Sequence, residues 1–237
     1  MILKVIKYGN LMGSPDIKKM MYDVGSESEA ADRLWDDAYR IKTAFGLYGQ
    51  SSSFLLDEPE CPDFFPAVVD LSFLCADPST YGDASILSAI KAIEMSGFEA
   101  GRIKSYFVTH PHGDHFDLRV ARKLQNAKVY AHPDSAIPGA EPLPLGKCPA
   151  GFMPLNTPGH GTPHTSYIVD LPEFDMSACL AGDLIMSHAH YLSLGDPLSF
   201  SDHEAGTASV GAVMDALKSR PSKYKMIFPG HDIPFFV

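Results

Sequence analysis

The sequence predicts an α/β protein, and three observations carry that expectation. Short runs rich in Val, Ile, Phe and Tyr alternate with stretches whose apolar residues recur at helical spacing. The 237 residues are 45% hydrophobic and 20% charged, which supplies a large core and argues against disorder. Glycine, proline and aspartate stand at the points where strands and helices must stop.

In chain order, strands are expected at Ile2 to Tyr8, Ser52 to Leu56, Ala67 to Leu71, Lys104 to Thr109, Lys128 to His132, His164 to Leu171, Ala178 to Asp183 and Tyr224 to Phe228. A helix should run from Ala84 to Ser96, with Asp83 as its N-cap, Ile86, Ile90 and Ile93 on one face, and Gly97 as its stop. A shorter one follows Asp117 and turns Leu118, Ala121 and Leu124 inward. Another starts near Thr207, with Val210, Val213, Met214 and Leu217 as its apolar side. All three have the pattern of helices covering a sheet.

Two stretches interrupt the alternation. Leu11 to Gln50 separates the first two strands and contains a helix expected over Glu27 to Phe45, with Ser26 and Glu29 spaced as a capping box and Gly46 beyond its end. Its stripe of Ala31, Leu34, Trp35, Ala38, Ile41 and Phe45 suits a lid over the site, a homodimer contact, or permanent packing on its own subunit. Ala131 to Pro154 carries Pro133, Pro138, Pro142, Pro144, Pro149 and Pro154 and is expected to be one long irregular loop.

A net charge of −10 disfavours nucleic-acid capture, which depends on neutralising phosphates, and favours neutral or modestly charged small molecules as partners. Apolar runs such as Met226 to Phe228 are far too short to span a bilayer. Cys61, Cys75, Cys148 and Cys179 form no C-x-x-C pair, and the opening MILKVIKYGN lacks a signal-peptide apolar core. A reduced, cytoplasmic protein is the expectation.

Chemistry concentrates in Ser105-Tyr-Phe-Val-Thr-His110-Pro-His112-Gly-Asp114-His115, where an apolar strand runs into three histidines and an aspartate. Imidazole and carboxylate donors together suit zinc, iron or manganese, and the absence of a neighbouring thiolate points to an open, catalytic site. Three further strand ends place glycine beside a candidate ligand: Thr157-Pro-Gly-His160, Ala181-Gly-Asp183 and Phe228-Pro-Gly-His231. A single strand-end His or Asp commonly just caps or hydrogen-bonds, so the set carries more than any one member. Because these residues must converge, residues 1–237 are expected to form one domain. His188, His190 and Tyr191 follow Asp183 closely enough to line a substrate pocket. His164 is expected to hydrogen-bond within its loop, His132 to end a strand, and His203 to lie exposed in a loop.

The ordered set T-H-x-H-x-D-H, T-P-G-H, G-D and P-G-H resembles the metallo-β-lactamase superfamily, with the match running from Ser52 to Asp232. The resemblance implies an αβ/βα four-layer sandwich, two mixed sheets face to face with helices outside. It implies a first metal held by His110, His112 and His160, a second by Asp114, His115 and His231, and Asp183 bridging both. Two divalent ions, zinc or else iron or manganese, would share a hydroxide that cleaves an ester, lactone or thioester, with Asp114 orienting it and moving its proton. Asp70, in Ala67-Val-Val-Asp70, resembles a residue that supports the metal loop from behind; ending its strand is the other role open to it.

Among the branches, glyoxalase II is similar in T-P-G-H, but only six residues follow His231, too few for its glutathione-binding extension. Quorum-quenching lactonases are similar in the terminal G-H-D and in the extra sequence before the second strand, yet Met186 stands where they carry tyrosine. True β-lactamases lack the bridging carboxylate that Asp183 supplies. Phosphodiesterase or ribonuclease-type members require a basic surface. Di-iron redox proteins of this fold carry Glu where His112 stands. A non-catalytic metal-binding module is the remaining alternative.

Overall fold

The structure is a computed structural model that describes residues 1–9, 50–73, 82–143, 146–161, 163–194 and 200–237. The first sheet contains β1 (Ile2–Lys7), β2 (Ser53–Asp57), β3 (Ala67–Val69), β4 (Ser105–Phe107), β5 (Lys128–Ala131) and β6 (Glu141–Pro142), side by side in that order. Its first three strands are antiparallel and the rest continue in parallel. The second sheet contains β7 (Phe152–Asn156), β8 (Thr165–Leu171), β9 (Met176–Gly182), β10 (Tyr224–Pro229) and β11 (Phe235–Phe236). Here β9 and β10 are the parallel pair, while β7, β8 and β11 join antiparallel. Four α-helices are described: α1 (Gly82–Met95), α2 (Leu118–Lys123), α3 (His188–Leu192) and α4 (His203–Lys218).

Strand periodicity builds the layers. Successive side chains point to opposite faces, so a strand apolar on both faces must be covered on both. Phe54, Leu56, Val69 and Phe107 of the first sheet meet Phe152, Tyr167, Leu180 and Phe228 of the second in one central cluster. Phe107 holds its middle, 4.9 Å from the Phe152 ring and 5.7 Å from that of Tyr167. The alternate residues Leu55, Val68, Tyr106 and Val108 pack outward against Ala89 and Ile93 of α1 and Val120 of α2. Ile168, Cys179 and Ile227 do the same against Val210, Val213 and Leu217 of α4. The result is the four-layer sandwich of two mixed sheets.

Several expectations shift. Ala131 to Pro154 is not one irregular loop, since β6 and the start of β7 lie within it. Both are edge strands, where a missing proline N–H interrupts no central ladder. The last helix begins at His203 rather than near Thr207, because the Asp202 carboxylate caps it by accepting from Ala205 N–H at 3.0 Å. His203 is therefore a partly buried helix residue and not an exposed loop residue. α1 begins at Gly82, so Asp83 lies inside it and not before it. The expected helix over Glu27 to Phe45 lies outside the described residues. Among those described, no helix is long and apolar enough to cross a membrane.

Candidate metal centre

Strand ends bring the candidate ligands together. The loop after β4 carries Thr109 to His115, Asp183 follows β9, His231 lies just beyond the parallel β10, and His160 lies between β7 and β8. The β4 loop is tied down through its own backbone. Ser51 and Ser72 hydroxyls donate to the Asp114 and Gly113 carbonyls at 2.6 Å each, and the Tyr106 phenol donates to Leu71 O at 2.8 Å. This backbone is held before any side chain coordinates anything.

All seven predicted residues converge in two donor sets, and Asp183, grouped with the first, also faces the second. In the first, His110 Nε2 lies 2.9 Å from His112 Nδ1, and His160 Nε2 lies 3.3 Å from the same atom. Asp183 Oδ2 completes it, 3.2 Å from His160 Nε2 and 3.7 Å from His110 Nε2. In the second, the Nε2 atoms of His115 and His231 are 3.4 Å apart, and Asp114 Oδ2 lies 3.3 Å from that of His231. Asp183 Oδ1 faces both, at 3.0 and 3.2 Å. One carboxylate thus turns one oxygen towards each set.

Partners behind the imidazoles fix which nitrogen faces inward. His115 Nδ1 sits 2.8 Å from Asp70 Oδ2, and His231 Nδ1 sits 2.9 Å from the Gln50 carbonyl, so each donates backwards and presents Nε2 to the centre. Asp70 also accepts from Thr109 N–H at 2.8 Å and from the Thr109 hydroxyl at 2.7 Å. The Thr109 hydroxyl, its proton so committed, accepts from His110 Nδ1 at 3.0 Å. Asp70 therefore supports the loop from behind, in a left-handed backbone conformation (φ 49°) that aspartate tolerates better than most residues.

A test of fit comes from Asp183. Its Oδ1 is buried without a hydrogen bond, although two imidazole nitrogens lie close. Acceptor atoms crowded at these distances, with the outer ring nitrogens already engaged, need a positive charge between them. Divalent cations fit this donor set, and no thiolate takes part.

The charge states agree. Burial opposes ionisation of Asp183, yet His231, His115 and His160 hold its carboxyl well below the usual range. Burial likewise opposes charge on His115, but Asp183, Asp114 and Asp70 override it and hold its pKa well above the ordinary imidazole value. His231 is raised against its own burial by Asp183 and Asp114. Burial dominates at His110 and His160, whose values fall.

Sequence reasoning missed part of the framework. His164 is fully buried, with Nδ1 2.8 Å from the Thr157 hydroxyl and Nε2 accepting from Asp183 N–H at 3.1 Å. It thus bonds Thr157 within its own loop, as expected, and also reaches beyond it to the backbone of Asp183. Gly182 lies between, at φ 54°, and a Cβ there would come within 2.8 Å of His164 Nε2 and of the Thr109 side chain. The paired signals were present in Gly182-Asp183 and in Thr157 to His164, but not their contact.

The three possible substrate-pocket residues part company. His190 is buried at 2% exposure and its Nδ1 accepts from Met186 N–H at 3.1 Å, which braces the loop after Asp183. His188 is exposed and stacks on Phe235 at 4.4 Å, with Tyr191 at 5.2 Å from the same ring. His132 lies one residue beyond β5, where its Nδ1 accepts from Asp134 N–H at 3.2 Å and caps a short turn.

Two facing mixed sheets, helices on both outer sides and a His/Asp cluster at the strand ends are the metallo-β-lactamase fold. A protein of Thermotoga maritima assigned to the metallo-β-lactamases superposes with a TM-score of 0.62 at 14% identity, covering 99% of this chain and 98% of that one. The hydrolase AbOPH of the β-lactamase superfamily gives 0.60 at 16% identity, over 97% of this chain and 86% of its own. The dizinc quorum-quenching lactonase AidC gives 0.55 at 16%, over 97% and 90%. No family model and no curated protein sequence matches the chain.

Proposed function

We propose that this protein is a metal-dependent hydrolase that uses two divalent cations to cleave an ester, lactone or thioester of a small molecule. The observation that carries the reading is Asp183, a buried carboxylate turned with one oxygen to each of two histidine-rich donor sets. His110, His112 and His160 would hold one ion, and Asp114, His115 and His231 the other, with Asp183 common to both; zinc is the first expectation, with iron or manganese suited to the same donors. When bound, such a pair supplies Lewis acidity and lowers the pKa of water towards neutrality.

The chain's own residues do the rest. Asp70 and the Gln50 carbonyl keep His115 and His231 in the tautomer that presents Nε2. Asp183 is enclosed, whereas the Asp114 side chain keeps 24% exposure. Asp114 is therefore the carboxylate able to take the proton of an incoming water and pass it to the leaving oxygen or sulfur. No serine or cysteine nucleophile is required. The net charge of −10 favours a small substrate over a polyanion such as RNA. Lactonases among the similar folds support the choice of carbonyl substrates.

A panel of lactones, thioesters, simple esters, phosphodiesters and β-lactams, presented to the metal-loaded protein, tests the reading. Turnover is expected on at least one of the first three, with Asp114→Ala reducing it by roughly 10²-fold or more. Absence of turnover across the panel, or turnover confined to phosphodiesters, contradicts it.

A further inference from the structure

The second donor set is held by a device on the first strand. β1 pairs regularly with β2 up to Val5, which faces Phe54, but the next partner pair is Lys7 with Ser53. Two steps along β1 thus match one along β2, a bulge of the kind that redirects a side chain. Beyond it Lys7 lies with its ammonium 5.2 Å from the Phe73 ring centroid and donates to the Ser51 carbonyl.

Residues 50–52 connect several parts of the site. The Gln50 carbonyl accepts from His231 Nδ1 at 2.9 Å. The Ser51 hydroxyl donates to the Asp114 carbonyl at 2.6 Å. Ser52 N–H donates to the carbonyl of Gly230, the residue before His231. Gly9 N–H in turn donates to the Ser52 hydroxyl at 3.0 Å, so the end of β1 grips this strut twice. Two of the three ligands that belong to the second set alone, Asp114 and His231, therefore lean on it.

We propose that Lys7 is a positioning residue for the second metal, acting through residues 50–52 to fix Asp114 and His231. The proposal rests on the two-metal reading above. Burial of the Lys7 amine lowers its pKa to about 7, while Asp114 and Asp70 pull it upwards.

The test is a Co²⁺ titration of the metal-free full chain, followed by calorimetry and by the visible absorbance of the bound ion. Wild type is expected to take two equivalents, and His231→Ala identifies the one belonging to the second set. Lys7→Met should weaken that equivalent by roughly 10–100-fold and leave the other within about twofold, as loss of a partner behind metal ligands does. Lys7→Arg should recover most of the loss. Ser51→Ala, which keeps the carbonyl bond to Lys7 but removes the bond to Asp114, should act in the same direction and carries the test if Lys7→Met does not fold. Equal weakening of both equivalents, no change, or tighter binding of the second would overturn the proposal, tighter binding because it assigns Lys7 a purely electrostatic effect. Fewer than two equivalents in wild type would instead remove the two-metal reading, and the proposal with it.

Discussion

Histidines of the site owe their use to partners that fix where a proton sits: His115 to Asp70, His231 to the Gln50 carbonyl and His164 to Asp183 N–H. His164 is the clearest case, because it accepts from Asp183 N–H only while Nε2 is bare. Burial, reinforced by neighbouring His160, lowers its pKa to about 3. The imidazole is neutral in both folded and unfolded chains above about pH 6.5, and below that the unfolded chain gains a proton the fold excludes. Stability is therefore intact above the unfolded pKa and is lost as pH falls towards 3, at about 1.4 kcal/mol per pH unit from this group. Denaturant melts of metal-free protein should show wild type losing roughly 2 kcal/mol more than His164→Gln between pH 7 and pH 5; parallel losses would exclude this role. Asp114→Ala should behave differently. Its carboxylate is partly exposed at a loop end, so metal-loaded mutant should keep near-normal thermal stability while turnover collapses.

The candidate metal ligands were legible in the sequence because each marks a strand end with glycine or a histidine cluster beside it. The residues behind them were not. Gln50 and Ser51 act through carbonyls that any residue carries, and Lys7 arrives by a bulge that strict alternation cannot foresee. Asp70 was visible only as a strand-end polar residue with two open roles, and its three hydrogen bonds decide between them.

At the scale of elements, the aromatic contacts between the sheets hold the two halves of the site in register. Phe107 is fully buried between Tyr130, Phe152 and Tyr167, two residues before the ligand loop begins at Thr109. Phe107→Ala should destabilise the chain by about 3–5 kcal/mol, measured by denaturant unfolding, and should lower metal affinity as well. A loss below 1 kcal/mol would show that the layers do not depend on this ring. The eight strands read from apolar runs are all present, with ends moved by one or two residues. Those not foreseen, β6, β7 and β11, are short or proline-bearing edge segments, which satisfy only one neighbour and carry a correspondingly weak pattern.

For the whole molecule, the donor sets draw on both sheets, β4 in one and β9 and β10 in the other, so the centre exists only once the sandwich has closed. On the proposed reading metal binding and folding are linked, so chelation should lower the melting temperature reversibly, with restoration by zinc. The acidic surface, at −10 overall, then bears on which molecules approach, and the fold itself does not name the substrate. The central claim is that Asp183 joins two cation sites. Elemental analysis of purified wild type beside Asp183→Ala tests it most directly. Two transition-metal ions per chain in wild type, with marked loss in the mutant, is the predicted result; no bound transition metal in wild type, or full retention of two ions by Asp183→Ala, would contradict it.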